Sequence, residues 1–333
     1  MTPSDALDRL RGRLPLLQER ARFLREVRAF FRRRGFWEVD APSLVASAGM
    51  EPHLDPFEAR GWATGRTALL PTSPEFYLKK LLAAGSGPCF SLAPAFRDEP
   101  PGKGHSPEFL LLEWYRPAGT LRGLARDCEA LLARLGRRFL PAGVLERGRL
   151  RCDFAAGVER LELGEAFRRW VGRDWRALDS EEAWRDTACR HGAAADGSWS
   201  ENDCFSYLLL TRIEPELARF GRPVLLSGYP PFQGALAREW AAEPGVIARF
   251  ELYAAGVELA NAYQELTDGA EQRRRYDAYQ AERARLGKPP HPPDEAFLAA
   301  VERLPECAGI ALGADRLLAL LLGRTVADVR HGE

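Results

Sequence analysis

Arg97 and Glu99 open the stretch FRDEPPGKGHSPEFLLLEWYR, residues 96–116, and Phe109, Glu113 and Tyr115 return from it. The guanidinium of Arg97 is a planar fork suited to two-pronged phosphate contact. Lys103 and His105 lie in a Pro- and Gly-rich loop too polar to pack, placed to close over further phosphate oxygens. Phe109 offers a flat apolar face for stacking on a base. An Arg-x-Glu alone is equally an ordinary solvated hairpin. The spacing of Arg97, Glu99, His105, Phe109, Glu113 and Tyr115 taken together points instead to a charged ligand.

A second segment, RFELYAAGVELANAYQELTD (249–268), carries Glu251, Glu258, Asn261 and Glu265. If Tyr253 and Gly256 close a hairpin around Ala254 and Ala255, Glu251 stands opposite Glu258, with Cβ atoms about 5 Å apart. Such a pair is either solvated at a sheet edge or bridged by a cation, and hard oxygen ligands suit magnesium that also holds nucleotide phosphates. Glu265 lies in a segment too apolar for plain surface. A lone buried carboxylate is costly, so a cationic partner is expected to arrive with a ligand. In ALGADRL (311–317), Arg316 sits just inside a helix start, where free N–H groups and the helix dipole favour anions; the alternative is a structural pair with Asp315. In TSPEF (72–76), Glu75 is either a capping carboxylate or a holder of a ligand amine.

Several elements must position these groups. Apolar residues at helical spacing predict a helix over 18–35, stopped by Gly35. FWEVDAPSLV reads as a strand ending at Pro42. A short helix is expected over 74–85, with Ser73 as N-cap and Pro74 as its first residue. Paired strands are expected over 88–96 and 107–116, and a helix over 121–140. Residues 150–220 read as mostly helical, with a surface break at HGAAADGSWS (191–200) and a surface insertion expected over 186–202. PVLLSGYPP (223–231) is a buried strand, 247–263 is strand-like, 270–286 is helical, and 308–323 is a strand, a glycine turn and a helix. The architecture predicted is α+β, an antiparallel sheet flanked by helices, in one domain over 1–333.

Composition narrows the function class. The 333 residues are 46% apolar and carry no net formal charge, which argues against a protein that lives on nucleic acid. The charged N-terminus lacks a signal-peptide core, and LLALLLG is too short to span a bilayer, so a soluble cytoplasmic protein is expected. None of the six cysteines forms a CxxC pair, so they are read as reduced, mostly buried thiols.

With these residues in view, FWEVDAPSL resembles motif 1 of class II aminoacyl-tRNA synthetases, around 22–45; FRDEPPGKGHSPEF resembles motif 2, within 96–116; GADRL resembles motif 3, within 308–323. TSPE, LLLEWYR and GVELANAYQELTD are similar to the lysyl-tRNA synthetase branch. The resemblance covers roughly 18–323. It implies a nucleotide site of Arg97, Asp98, Glu99, Lys103, His105, Ser106, Phe109, Glu258, Leu259, Gly313 and Arg316. Within it, Arg97 grips the α-phosphate, Phe109 stacks on adenine and Arg316 holds the γ-phosphate, Arg97 and Arg316 being the catalytic pair. It implies an amino-acid site of Ser73, Glu75, Glu113, Tyr115, Asn261, Glu265 and Ala311, with Glu75 at the near amine and Tyr115 and Glu265 at the far ε-ammonium. Glu251 and Glu258 are the implied magnesium ligands.

Fewer than 20 residues precede the first predicted helix, so no anticodon-binding OB domain is expected before the core. The chain therefore resembles the freestanding paralogues, the elongation factor P–(R)-β-lysine ligase family. That resemblance implies ATP-dependent activation of (R)-β-lysine, transfer to a lysine ε-amine of elongation factor P, a homodimer built through Phe36, Trp37 and Pro42, and no stable tRNA binding. Ala311 stands where lysyl-tRNA synthetases generally have Gly, and its methyl favours an amine displaced to the β-carbon; the alternative is an ordinary helix-turn alanine. Ser106 and Gly104 replace the usual Asn and Arg. Two other readings stay open: an α-lysine-activating enzyme serving tRNA or another carrier, and a non-catalytic regulator that kept the fold.

Overall fold

The structure is a computed structural model that describes residues 3–51, 53–100, 104–148, 150–234 and 236–330. Its strands are β1 Trp37–Glu38, β2 Glu58–Arg60, β3 Thr67–Leu69, β4 Cys89–Phe96, β5 Glu108–Pro117, β6 Val144–Arg147, β7 Leu150–Asp153, β8 Glu159–Glu162, β9 Val224–Tyr229, β10 Glu239–Trp240, β11 Glu243–Ala254, β12 Val257–Gln264 and β13 Cys307–Gly313. The helices that matter here are α1 Pro3–Arg32, α2 Glu75–Ala83, α3 Leu121–Phe139, α4 Leu163–Trp170, α5 Glu181–Arg190, α6 Glu201–Leu208, α7 Glu214–Leu217, α8 Gly269–Arg285, α9 Glu295–Val301 and α10 Ala314–Leu322.

One large sheet runs β1-β4-β5-β13-β12-β11-β9-β8, with β10 added against β11. Its interior is antiparallel, as expected, while β1 and β8 join parallel at the two edges. Side chains alternate across a strand, so the two faces have different compositions. Phe90, Leu112, Trp114, Ala260, Ala262, Ile310 and Leu312 share one face with Phe31 and Val27 of α1, the apolar side of α3, and Leu317 and Leu318 of α10. Each large side chain fully buried there contributes roughly 1.5–3 kcal/mol. The other face is covered only at its flanks. Helices α4–α6 pack on β8, β9 and β11 through Phe167, Trp184, Phe205 and Leu226. At the opposite flank α2 and α9 meet through stacked Phe76 and Phe297, whose ring centroids are 4.0 Å apart. The strip over β5, β13 and β12 is left open between them.

The structure corrects several expectations. Helix α1 starts at Pro3, well before residue 18, and ends at Arg32, with Gly35 in the left-handed region beyond it. Of FWEVDAPSLV only Trp37–Glu38 is strand, with one further bond from the Val39 N–H to the Phe90 carbonyl at 2.7 Å and an isolated bridge from Val45 to Leu69. Pro74, not Ser73, is the N-cap of α2, and Ser73 Oγ accepts from the Glu75 N–H at 3.0 Å. The stretch from 150 begins with strands, in the β6–β7 hairpin and β8, before it turns helical; elements of four residues are too short to show a period. The break at 191–200 is the connection between α5 and α6, whose residues include 186–190 and 201–202 of the expected insertion.

The β11–β12 hairpin turns at Ala255-Gly256, one residue later than expected. Both residues have positive φ, 52° and 77°, as a two-residue hairpin turn requires. Glycine therefore belongs inside the turn rather than beside it. A bulge follows: Tyr253 faces Glu258, Leu252 faces Ala260, and Leu259 is the extra residue.

Candidate active site

The register assembles the open strip. Antiparallel partners point to the same side, so Tyr115 and Tyr263 flank Gly309, Glu113 and Asn261 flank Ala311, and Leu111 flanks Gly313. Above this row lies a cleft that is open to solvent on one side. Every residue expected at the nucleotide and amino-acid sites lines it except Asp98 and Lys103. Lys103 lies outside the described residues. Asp98 is a correction. It does not line the cleft: its backbone N–H donates to the Asp55 carbonyl at 2.7 Å, and the Glu99 N–H turns back to the Arg97 carbonyl at 2.8 Å.

One end of the cleft is lined by carboxylates. Glu75, Glu113, Tyr115 and Glu265 converge there from α2, β5 and the segment after β12. Ser73 Oγ donates to Glu113 Oε1 at 2.5 Å and Tyr115 donates to Glu113 Oε2 at 3.2 Å. Burial, reinforced by Glu75, pushes the Glu113 carboxyl up to about 8. Burial also raises Glu265, to about 7, against the pull of Lys79. The cationic partner expected to arrive with a ligand is thus already present. Lys79 Nζ lies 2.6 Å from Glu265 Oε2 and 2.6 Å from Glu75 Oε1.

The other end carries Arg97, His105 and Arg316. Arg97 forms no ion pair among the described residues; its guanidinium lies 4.9 Å from the Phe109 ring centroid, and its buried Nε has no hydrogen-bond partner. An arginine so placed is a ready acceptor site for phosphate. His105 Nδ1 and Glu99 Oε2 are 3.2 Å apart on the loop rim. Arg316, in the first turn of α10, donates to Gly104 O at 3.3 Å and pairs with Glu258 at 3.3 Å. Its neighbour Asp315 is not its partner. Asp315 takes Arg20, Arg330 and the Leu110 N–H, tying α1 and β5 to α10.

Glu251 departs most from expectation. It stands across from Asn261, not Glu258, and does not line the cleft. It pairs with Arg249 and accepts from the hydroxyls of Tyr229 and Tyr253, each at 2.6 Å. Glu258 is half-buried. Desolvation in the cleft wall and the nearby Glu251 charge raise its pKa, with Arg316 opposing. A carboxylate raised by a second carboxylate beside it is a place that a cation would relieve. No cluster of three metal-ligating side chains occurs among the described residues. That suits magnesium, which takes one or two protein carboxylates and fills its shell with phosphate and water.

The profile of the family tRNA synthetases class II (D, K and N) matches residues 9–330. The elongation factor P–(R)-β-lysine ligase of Proteus mirabilis is 36% identical over 321 residues, 94% of this chain and 93% of its own. The ligase of the same name from Edwardsiella ictaluri is 38% identical over 92% of this chain and 90% of its own, and that of Klebsiella pneumoniae (strain 342) 37% identical over 93% and 92%. The chain belongs to the elongation factor P–(R)-β-lysine ligase family. It is a ligase on a class II synthetase fold, and the family's chemistry uses ATP. Among the described residues no helix is long and apolar enough to cross a membrane.

Sequence reasoning missed part of the site. Lys79 follows Glu75 by four residues and Phe76 by three, on the buried side of α2, and that spacing was a legible sign of a lysine turned inward. Arg249 was legible too, two residues before Glu251 on the same strand face. Glu214, on α7, carried no such sign. It accepts from Tyr253 at 3.2 Å, and burial pushes it up to about 7 beside Glu251 and Glu258.

Proposed function

We propose that the chain activates (R)-β-lysine with ATP and transfers the β-lysyl group to a lysine ε-amine of elongation factor P. The observation that carries this reading is the polarity of the cleft: Arg97, Phe109 and Arg316 at one end, Glu75, Glu113, Tyr115 and Glu265 at the other. ATP and a diamino acid fill such a cleft with their reacting groups facing each other. The substrate carboxylate attacks the α-phosphorus, an O–P bond forms, and pyrophosphate leaves. The acceptor amine then attacks the adenylate carbonyl, an amide forms, and AMP leaves. Neither step needs a protein nucleophile. Arg97 is assigned to the α-phosphate and Arg316 to the γ-phosphate, where each neutralises developing charge. Phe109 takes adenine, with Glu99, His105 and Ser106 along the loop and Leu259 and Gly313 as backbone walls. Glu258, with Glu251 behind it, would hold Mg2+, which when bound supplies charge neutralisation on the phosphates.

At the amine end, Glu75 is assigned to the near amine, and Tyr115 and Glu265 to the far ammonium, with Asn261 and Glu113 between. Ala311 lies in register between Glu113 and Asn261, so its methyl stands where a substrate's backbone must pass. That location supports selection for an amine on the β-carbon. A homodimer is proposed through the motif 1 side. Phe36 is withdrawn from that interface, because it is buried against Phe31, but Trp37 and Leu44 are 45% and 61% exposed beside Pro42. The absence of net charge supports a protein acceptor over stable tRNA binding, and an acceptor belonging to translation supports a cytoplasmic reaction.

ATP–pyrophosphate exchange with (R)-β-lysine and with α-lysine tests the first step, and the intact mass of elongation factor P tests the second. Strong preference for β-lysine and a mass gain of one β-lysyl group are expected. Preference for α-lysine would move the acceptor to tRNA or another carrier, and no exchange with either would favour a non-catalytic role.

A further inference from the structure

Lys79 is 2% exposed and lies within 2.6 Å of both carboxylates that the reading above assigns to the substrate's two amines. A buried lysine is expensive, and nothing in the phosphate chemistry uses this one. Its position is specific. Glu75 sits at the start of α2 and Glu265 just past β12, where its backbone N–H donates to Cys307 O at 3.0 Å. Lys79 is the charge that joins those two elements. The two carboxylates can be no farther apart than its two contacts laid end to end, a separation at which unshielded like charges would drive one of them to take a proton. The contact also sorts the oxygens. Glu265 gives Oε2 to Lys79, while Oε1 lies beside Gly309 and the Tyr115 ring, in the cleft.

We propose that Lys79 is a positioning residue for the amine end of the cleft. It holds Glu75 and Glu265 side by side by placing one positive charge between them, and it turns Glu265 so that one oxygen is left for the far ammonium of the substrate. It thereby sets the preference for an amino acid carrying two ammonium groups over one whose chain ends in a methyl. This inference rests on the activation of a diamino acid proposed above.

The other charged and titratable groups facing Lys79 and its partners are Glu113 and Tyr115 on β5, Cys307 on β13 and, beside Glu75, Glu51 and Tyr263 of β12. Burial alone would depress the Lys79 ammonium, but Glu265 and Glu75 outweigh it and hold its pKa above the ordinary range, so it is charged throughout the working pH. Removing that charge leaves Glu265 to burial and to Glu75, both of which favour its protonated form.

The test is pyrophosphate exchange by Lys79→Met with (R)-β-lysine and with the analogue lacking the distal amine. KM for β-lysine is expected to rise at least about tenfold, with KM for ATP held within about twofold. Discrimination against the analogue should fall by about tenfold or more, and the pH above which KM for β-lysine levels off should move up by about one unit. A KM for β-lysine within about threefold of wild type, or an equal rise in KM for ATP, would overturn the proposal. If Lys79→Met does not fold, the same assay compares Glu265→Gln with Lys79→Met/Glu265→Gln. A further change in KM for β-lysine below about threefold is expected, and a further tenfold loss would overturn the proposal, because it would show Lys79 acting other than through Glu265. Wild type failing to use β-lysine would refute the parent reading. Wild type active with Lys79→Met indistinguishable from it would refute this inference alone.

Discussion

Gly309 gives the sharpest test of where the far ammonium binds. A methyl added there would stand 2.2 Å from Tyr115 Cε1 and 2.3 Å from Glu265 Oε1. Ordinary non-bonded contact begins near about 3.5 Å, so each group must withdraw by roughly 1.2 Å. Neither is free to do so. Tyr115 is buried and hydrogen-bonded to Glu113, and Glu265 is tied to Lys79. Misplacing binding groups by about 1 Å costs up to roughly a hundredfold, so Gly309→Ala should raise KM for β-lysine about 10- to 100-fold, or about 1.4–2.7 kcal/mol. Overpacking should also cost about 1–3 kcal/mol of fold stability, visible as a lower melting temperature. Arg97 and Phe109 lie on the far side of the cleft, so KM for ATP should stay within about twofold. A diamino acid one methylene shorter should be penalised less than β-lysine, by about 1 kcal/mol, because the methyl shortens the pocket. Pyrophosphate exchange gives all three constants, with each diamino acid varied at saturating ATP and ATP varied at saturating β-lysine. A lowered melting temperature with an unchanged KM for β-lysine would refute the reasoning, because Gly309 would then serve packing only and the ammonium would lie elsewhere.

Arg97→Ala should lower the exchange rate by about 10²–10³ while leaving the melting temperature within about 2 °C, because its guanidinium makes no ion pair among the described residues; normal exchange in this variant would remove the central assignment. Ala311→Gly should narrow the preference for β-lysine over α-lysine by about 10- to 100-fold, measured as the ratio of the two kcat/KM values; an unchanged ratio would assign the selection elsewhere. Burial holds Glu265 and Glu113 near about 7 and about 8, and a substrate ammonium binds their ionised forms, so KM for β-lysine should fall as pH rises from about 6 to about 8.5. The same shifts act on stability with the opposite sense. These carboxyls are raised in the folded state, so between about pH 4.5 and 8 it binds more protons than the unfolded chain, and their contribution to stability declines as pH rises; a denaturant series at fixed salt checks the slope. Sedimentation at micromolar concentration should give a dimer mass, and Trp37→Arg should weaken it.

How much of this was legible in the sequence depended on the kind of signal. The strands flanking the opening loop, the long helix over 121–140 and the functional alternation of Phe109, Glu113 and Tyr115 were readable because period and residue type agreed. Lys79 was not read, because a lysine in isolation looks like surface; only its neighbours Phe76 and Leu82 on α2 show that its side is buried. The fate of Glu265 followed from that omission. The need for a cation was inferred correctly from burial, but its source was taken to be the ligand, because local sequence says nothing about which helix packs across a strand end. The pairing of Glu251 failed for a different reason. Register in a hairpin is fixed by the turn, and a one-residue error in placing Gly256 propagates along the whole ladder.

The bulge at Leu259 links that error to the chemistry. Glu258 and Asn261 are three residues apart, so in a regular strand they would face opposite sides of the sheet. Asn261 faces the cleft, and a regular β12 would therefore turn Glu258 into the apolar layer with Ala260 and Ala262. The extra residue reverses the alternation and brings Glu258 to the cleft, while Leu259 is buried at 1% exposure. A bulge also leaves backbone groups without ladder partners. Here the Glu258 carbonyl accepts from Arg316 at 3.1 Å, and the same guanidinium nitrogen reaches the Glu258 carboxylate at 3.3 Å. One irregularity thus exposes the carboxylate and fixes the arginine beside it. Glu258 and Arg316 are placed by the same break in the ladder, which is why neither the proposed cation site nor the proposed phosphate site follows from a regular reading of the hairpin.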